Sequence, residues 1–214
     1  MRKFLLFVTL VLLIASTWMA LTKGQIEGPS ANPDSPVRNI IYTHVPSSIC
    51  SLVCFTVLLI ASIAYLITSK QFWDFIASAS AEVGLIFATI LNATGMIFSR
   101  AEWGPWWTPT PRLIFSAVLW FLYVVYLILR SSLPGSKQRR ARICAVFGII
   151  AFLDVPMVYI SARYMKDIHQ ASFSFENAWQ KGAFILGMIS TMLLAAILIW
   201  IRTDILKIKS KLET

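Results

Sequence analysis

Long apolar runs alternate with short polar ones along this chain, and the lengths of the runs predict membrane-spanning helices. A helix needs about 20 apolar residues to cross the hydrocarbon of a bilayer. Six stretches meet that length, at residues 4–21, 45–68, 75–98, 113–129, 143–162 and 183–201. The segments between them are short, and no stretch is large enough for a soluble domain. The pattern therefore predicts an all-α polytopic membrane protein, a single six-helix membrane domain over residues 1–214. There is no internal repeat and no low-complexity tract.

Composition agrees with that class: 57% of residues are hydrophobic and only 14% charged. Charge adds an orientation. Arg2, Lys3, Lys70, Arg130, Lys137, Arg139, Arg140, Arg142, Arg202, Lys207, Lys209 and Lys211 fall on one set of ends, 12 of the 19 basic residues. Lys23, Arg38, Arg100, Arg112, Arg163, Lys166 and Lys181 fall on the other. The positive-inside rule puts the richer set, and both termini, in the cytoplasm. The net charge of +9 is then mainly a topology signal, balanced in part by anionic lipid. The cluster "KQRRAR" is short and abuts a membrane helix, which argues against nucleic acid as a partner.

The first stretch has the basic start and apolar core of a signal peptide. Trp18 and Met19 stand where a small-x-small cleavage site would be, so it reads as a retained helix. Cleavage would not invert the other five. The three cysteines form no disulfide framework. Cys50, Cys54 and Cys144 lie in apolar surroundings and read as small buried hydrophobes.

The candidate chemistry lies on the outer side. The stretch "AEWGPWWTPTPRL", residues 101–113, places Trp103, Trp106 and Trp107 between two spans. Pro105, Pro109 and Pro111 resist continuous helix, which predicts an irregular aromatic loop at the membrane surface. Such a cluster reads either as an aromatic belt or as a platform for a flat, apolar, polar-edged ligand. The chain has two histidines, His44 at the end of the first outer loop and His169 in the third. Two histidines make a poor zinc site, which takes four ligands or three plus water. They suit a haem, whose iron has two axial positions. Arg100 and Arg112 flank the tryptophans and match the carboxylates of a porphyrin.

"IIYTHVPSS", "TGMIFSRAEWGPWWTPTPRL" and "YMKDIHQAS" resemble the three periplasmic signatures of the CcmC family, the haem-handling protein C of bacterial cytochrome c maturation. The resemblance covers residues 39–201. It implies a six-helix protein of the bacterial inner membrane that binds haem b through His44 and His169 as axial ligands. Trp103, Trp106 and Trp107 would form part of the platform, and Arg112 matches the arginine that closes the family's tryptophan loop. The implied partners are a membrane-anchored periplasmic haem chaperone of the CcmE kind, an ABC-type pair that drives haem release, and a small helper peptide. The implied activity is haem transfer rather than independent catalysis. The family pattern is Trp-Trp-x-Trp-Asp-x-Arg, whereas this chain has "WWTPTPR". Pro109 stands for a tryptophan and Thr110 for the aspartate, which puts the fine positioning of haem or chaperone in question.

Two ionisable residues fall inside spans, Glu82 in the third and Asp154 in the fifth, beside Pro156. Such groups are expected to be paired, wetted or functional. Asp154 is a candidate partner for backbone freed by the proline, and Asn92 and Tyr159 for hydrogen bonds between helices. The small residues of "ASASAEVG", 77–84, predict close helix packing. Other functions stay open: a core subunit of a cytochrome c synthase, or a divergent structural or transport subunit without haem. No phosphate-cradling glycine loop is present, so any use of ATP falls to a partner.

Overall fold

Among the described residues, seven α-helices build the six predicted spans. The computed structural model describes residues 2–26, 36–165 and 174–212. Its helices are α1 (Arg2–Thr22), α2 (Ile41–Thr68), α3 (Gln71–Trp103), α4 (Pro111–Ser132), α5 (Lys137–Ala151), α6 (Asp154–Tyr164) and α7 (Ala178–Leu212). A 3-10 turn, Pro36–Ile40, leads into α2. No strand occurs among the described residues. The fold is all-helical, with six helices long and apolar enough to cross a membrane, α5 and α6 supplying one between them.

Several helices run past their predicted ends, because charged residues near those ends are paired rather than solvated. Arg130 makes two hydrogen bonds to Asp74, at 2.7 and 2.6 Å, and joins the end of α4 to the start of α3. Arg202 holds Glu82 at 2.6 and 3.1 Å and joins α7 to α3. Glu82 is thus a structural counter-ion. Arg2 pairs with Asp204 and lies over the Trp200 ring, so α1 packs along α7 as a member of the bundle. Ser16 also donates to the Ala183 carbonyl at 2.9 Å, farther along the same pair.

The fifth span is broken. Pro156 has no N–H, and its ring crowds the carbonyl four residues back, that of Phe152. There α5 stops, and the Val155 amide takes the Phe152 carbonyl at 3.0 Å. Asp154 does not repair the break: its Oδ2 is buried without a hydrogen-bond partner among the described residues. Two further expectations are corrected. Asn92 donates to Ala88 within its own helix, at 2.9 Å, because the i−4 carbonyl is the nearest acceptor. Tyr159 is 64% exposed and so faces away from the bundle.

Close packing in the small-residue stretch holds. Residues 77–81 of α3 are all buried. A Cβ at Gly84 would stand 2.6 Å from Phe55 Cε1, so only glycine lets α2 and α3 approach this closely. Phe55 stacks on Tyr123 of α4, with centroids 3.5 Å apart and planes 6° from parallel. The three cysteines are free and buried, as expected of small hydrophobes.

Candidate functional site

The helix pairings place the starts of α2, α4 and α7 and the ends of α1, α3 and α6 at one end of the bundle. The tryptophan loop lies there; the basic cluster lies at the other end. Trp103 is the last residue of α3 rather than part of the loop, and it meets Phe98 edge-on at 5.5 Å. The loop proper, 104–110, opens at Gly104, whose φ of +93° suits glycine alone. Two side chains from the last turns of α3 hold it. Ser99 donates to the Pro105 carbonyl at 2.8 Å, and Arg100 donates to the Gly104 carbonyl. Trp106 and Trp107 are left 55% and 37% exposed. Arg112 sits in the first turn of α4, half-buried.

His44 is deeper than its sequence suggests. It lies on the first turn of α2, half-buried, opposite α3. Pro46 follows inside the second turn, where its missing N–H removes the bond to the Tyr42 carbonyl. The ring of His44 meets Thr94 of α3, Nδ1 to Oγ1 at 2.9 Å. Thr94 precedes Trp103 by nine residues, about two and a half turns of α3, so the imidazole is recessed below the end of that helix. A Cβ on the adjacent Gly95 would stand 3.1 Å from His44 Cε1, so glycine there leaves room for the ring.

Above this seat, at the end of α3, lies an ion pair that the sequence reading did not single out. Arg38 of the 3-10 turn donates to Glu102 Oε2 at 2.9 Å, and the Glu102 side chain is 9% exposed. It ties the approach to α2 to the turn of α3 that carries Trp103. The signal available in the sequence was an opposite charge at each of two facing helix ends. Farther round the same end, Tyr42 donates to the Gly24 carbonyl at 2.6 Å, and Gln180 Nε2 to the Gln25 carbonyl at 2.9 Å. Thr94 and Gly95 were missed too, though they open the signature "TGMIFSR". His169 lies outside the described residues. The structure thus brings His44, Trp103, Trp106, Trp107, Arg100 and Arg112 to one end, with the imidazole recessed below the indoles.

Fold and site together define a polytopic helical membrane protein with an imidazole and an aromatic shelf at the same end of its bundle. Within that class, the sequence matches the CcmC family, described as Heme exporter protein C, over residues 1–213, and the chain belongs to that family. It is similar to Heme exporter protein C of Escherichia coli K12, 28% identical over 171 residues that cover 78% of this chain and 69% of that protein. It is also similar to Heme exporter protein C of Rhodobacter capsulatus, 25% identical over 207 residues, 90% of this chain and 84% of that protein.

Proposed function

We propose that this chain is a haem-handling protein of cytochrome c maturation. It holds haem b at the tryptophan end, on the periplasmic face of the bacterial inner membrane, and passes it to a membrane-anchored chaperone of the CcmE kind. ABC-type subunits and a small helper peptide act with it. Membership of the family and the names of its relatives support haem as the cargo. The observation that carries the reading is the seat of His44. An imidazole is recessed between two helices, below exposed indoles and beside a loop flanked by two arginines.

The described residues fit a porphyrin. Haem iron, when bound, supplies two axial coordination positions. His44 offers a ring nitrogen to one, and His169 is proposed for the other. Trp103, Trp106 and Trp107 provide apolar faces that exclude water from a flat macrocycle. Arg112 supplies a guanidinium for propionate carboxylates, at the position that closes the family's loop. Arg100 uses one of its five N–H donors to shape the loop and keeps others for a carboxylate. None of these roles requires the protein to make or break a covalent bond within the haem.

The test is the visible spectrum of the purified protein, oxidised and reduced, after expression with its chaperone. A low-spin bis-histidine spectrum that is lost in His44→Ala and in His169→Ala is the expected result. Full haem retention in both single variants overturns the axial assignment. No haem under conditions where a regular family member binds it would favour a divergent subunit whose loop has lost the function.

A further inference from the structure

The hydroxyl of Thr94 has one proton, and its neighbours decide where that proton goes. Oγ1 lies 2.7 Å from the Ile90 carbonyl oxygen, one turn back on α3. The Leu91 carbonyl lies 3.1 Å from it as well, and since neither carbonyl can donate, the hydroxyl satisfies this pair by donating, with Ile90 the nearer acceptor. The same oxygen lies 2.9 Å from His44 Nδ1. With its proton directed to Ile90, Thr94 can only accept there, so His44 Nδ1 is the nitrogen that carries hydrogen. In a neutral imidazole the other nitrogen, Nε2, then holds the lone pair.

From this we infer that Thr94 is a positioning residue that locks His44 in the Nδ1–H tautomer and so presents Nε2 as the ligand atom, an inference that rests on the haem-ligand reading of His44. A metal takes the deprotonated nitrogen of a neutral imidazole, and the hydrogen bond at the other nitrogen sets which one that is. The relay from His44 Nδ1–H through the Thr94 hydroxyl to the Ile90 carbonyl also fixes the plane of the ring, since both bonds are anchored on helix backbone. Gly95 completes the seat. A methyl there would approach His44 Cε1, the carbon between the two nitrogens, at 3.1 Å and press the ring off Thr94.

The experiment uses the full-length chain in detergent with its histidines labelled with nitrogen-15. Only two histidines exist, and a His169→Ala sample assigns the His44 signals. In the haem-free protein, hydrogen is expected on Nδ1 of His44. Thr94→Ser retains it there. Thr94→Val, which keeps the volume but cannot accept, moves it to Nε2. Haem affinity is then expected to fall about 10–100-fold in Thr94→Val, the usual cost of losing a partner behind a metal-bound histidine, and to survive in Thr94→Ser. Gly95→Ala should follow Thr94→Val. If Thr94→Val keeps its hydrogen on Nδ1, or Thr94→Ser behaves like Thr94→Val, the tautomer lock is overturned. If the hydrogen moves as expected but His44→Ala binds haem as tightly as the parent, the ligand reading fails and takes the haem role of Thr94 with it, while the lock itself stands.

Discussion

Thr110 separates what a residue's identity implies from what its geometry does. It stands at the N-cap of α4, in the extended conformation a cap requires, with Pro111 in the first turn. Ser, Thr, Asp and Asn cap by accepting an amide hydrogen from the first turn, yet the Thr110 hydroxyl makes no such bond and is buried without a partner among the described residues. The sequence shows a threonine, a capping residue type, just before Pro111; that the cap bond is missing lies in a side-chain rotation that no sequence pattern encodes. Thr110→Asp should make the bond, add a negative charge at a helix N-terminus near Arg112, and stabilise the fold by about 1 kcal/mol. Thr110→Val should be within about 0.5 kcal/mol of neutral, because the hydroxyl it removes bonds to nothing. Thermal melting in detergent, followed by circular dichroism, decides both. An unchanged midpoint in Thr110→Asp, or a large loss in Thr110→Val, would show that the hydroxyl already caps the helix.

At the scale of elements, two glycines answer to different physics. A methyl at Gly84 would meet the Phe55 ring at 2.6 Å and Cys54 Cβ at 2.9 Å, and Phe55 cannot swing aside because it is stacked on Tyr123. Gly84→Ala should therefore push α2 and α3 apart at a cost of about 1–3 kcal/mol, and the melting midpoint should drop. Gly104 has open space for a methyl, but its φ of +93° strains any other residue. Gly104→Ala should leave the melting of the bundle unchanged and lower haem retention by disordering the loop; the reverse pair of results would refute the assignment of one glycine to packing and the other to loop shape. The sequence foretold the first role, since small residues at 77–84 imply close approach, and it foretold the spans wherever they are purely apolar. Helix ends were less legible. A hydropathy reading stops at the first charges, whereas Asp74, Arg130 and Arg202 remain in helices because each is neutralised by a partner on another helix. The seat of His44 was hidden for a related reason: the apolar span starts at residue 45, so His44 reads as the end of the outer loop, while α2 begins at Ile41 and takes it into its first turn.

For the whole molecule, the alternation of spans links every site to one orientation. His44 and the tryptophan loop share an end because α2 begins and α3 finishes there, and the basic cluster 137–142 must lie at the other. The distribution of Lys and Arg predicts that the basic end is cytoplasmic, which would open the tryptophan end to the periplasm, the side on which the proposed function hands haem on. The three native cysteines make this testable without removing them, since all are buried and at most 1% exposed. Pro109→Cys puts a thiol on the exposed loop, and Ser132→Cys puts one on the exposed end of α4. In intact cells with a permeable outer membrane, a thiol reagent that cannot cross the inner membrane should label the first variant and not the second. After the cells are broken, both should react. The opposite pattern would invert the bundle as a whole, because α1, α3, α4 and α7, tied by Arg2–Asp204, Asp74–Arg130 and Glu82–Arg202, cannot be reoriented singly without leaving a charge unpaired, and short connections carry the other spans with them. It would also place the tryptophan end in the cytoplasm, out of reach of the periplasmic acceptor that the proposed function requires. One labelling experiment therefore tests the direction of transfer as well as the topology.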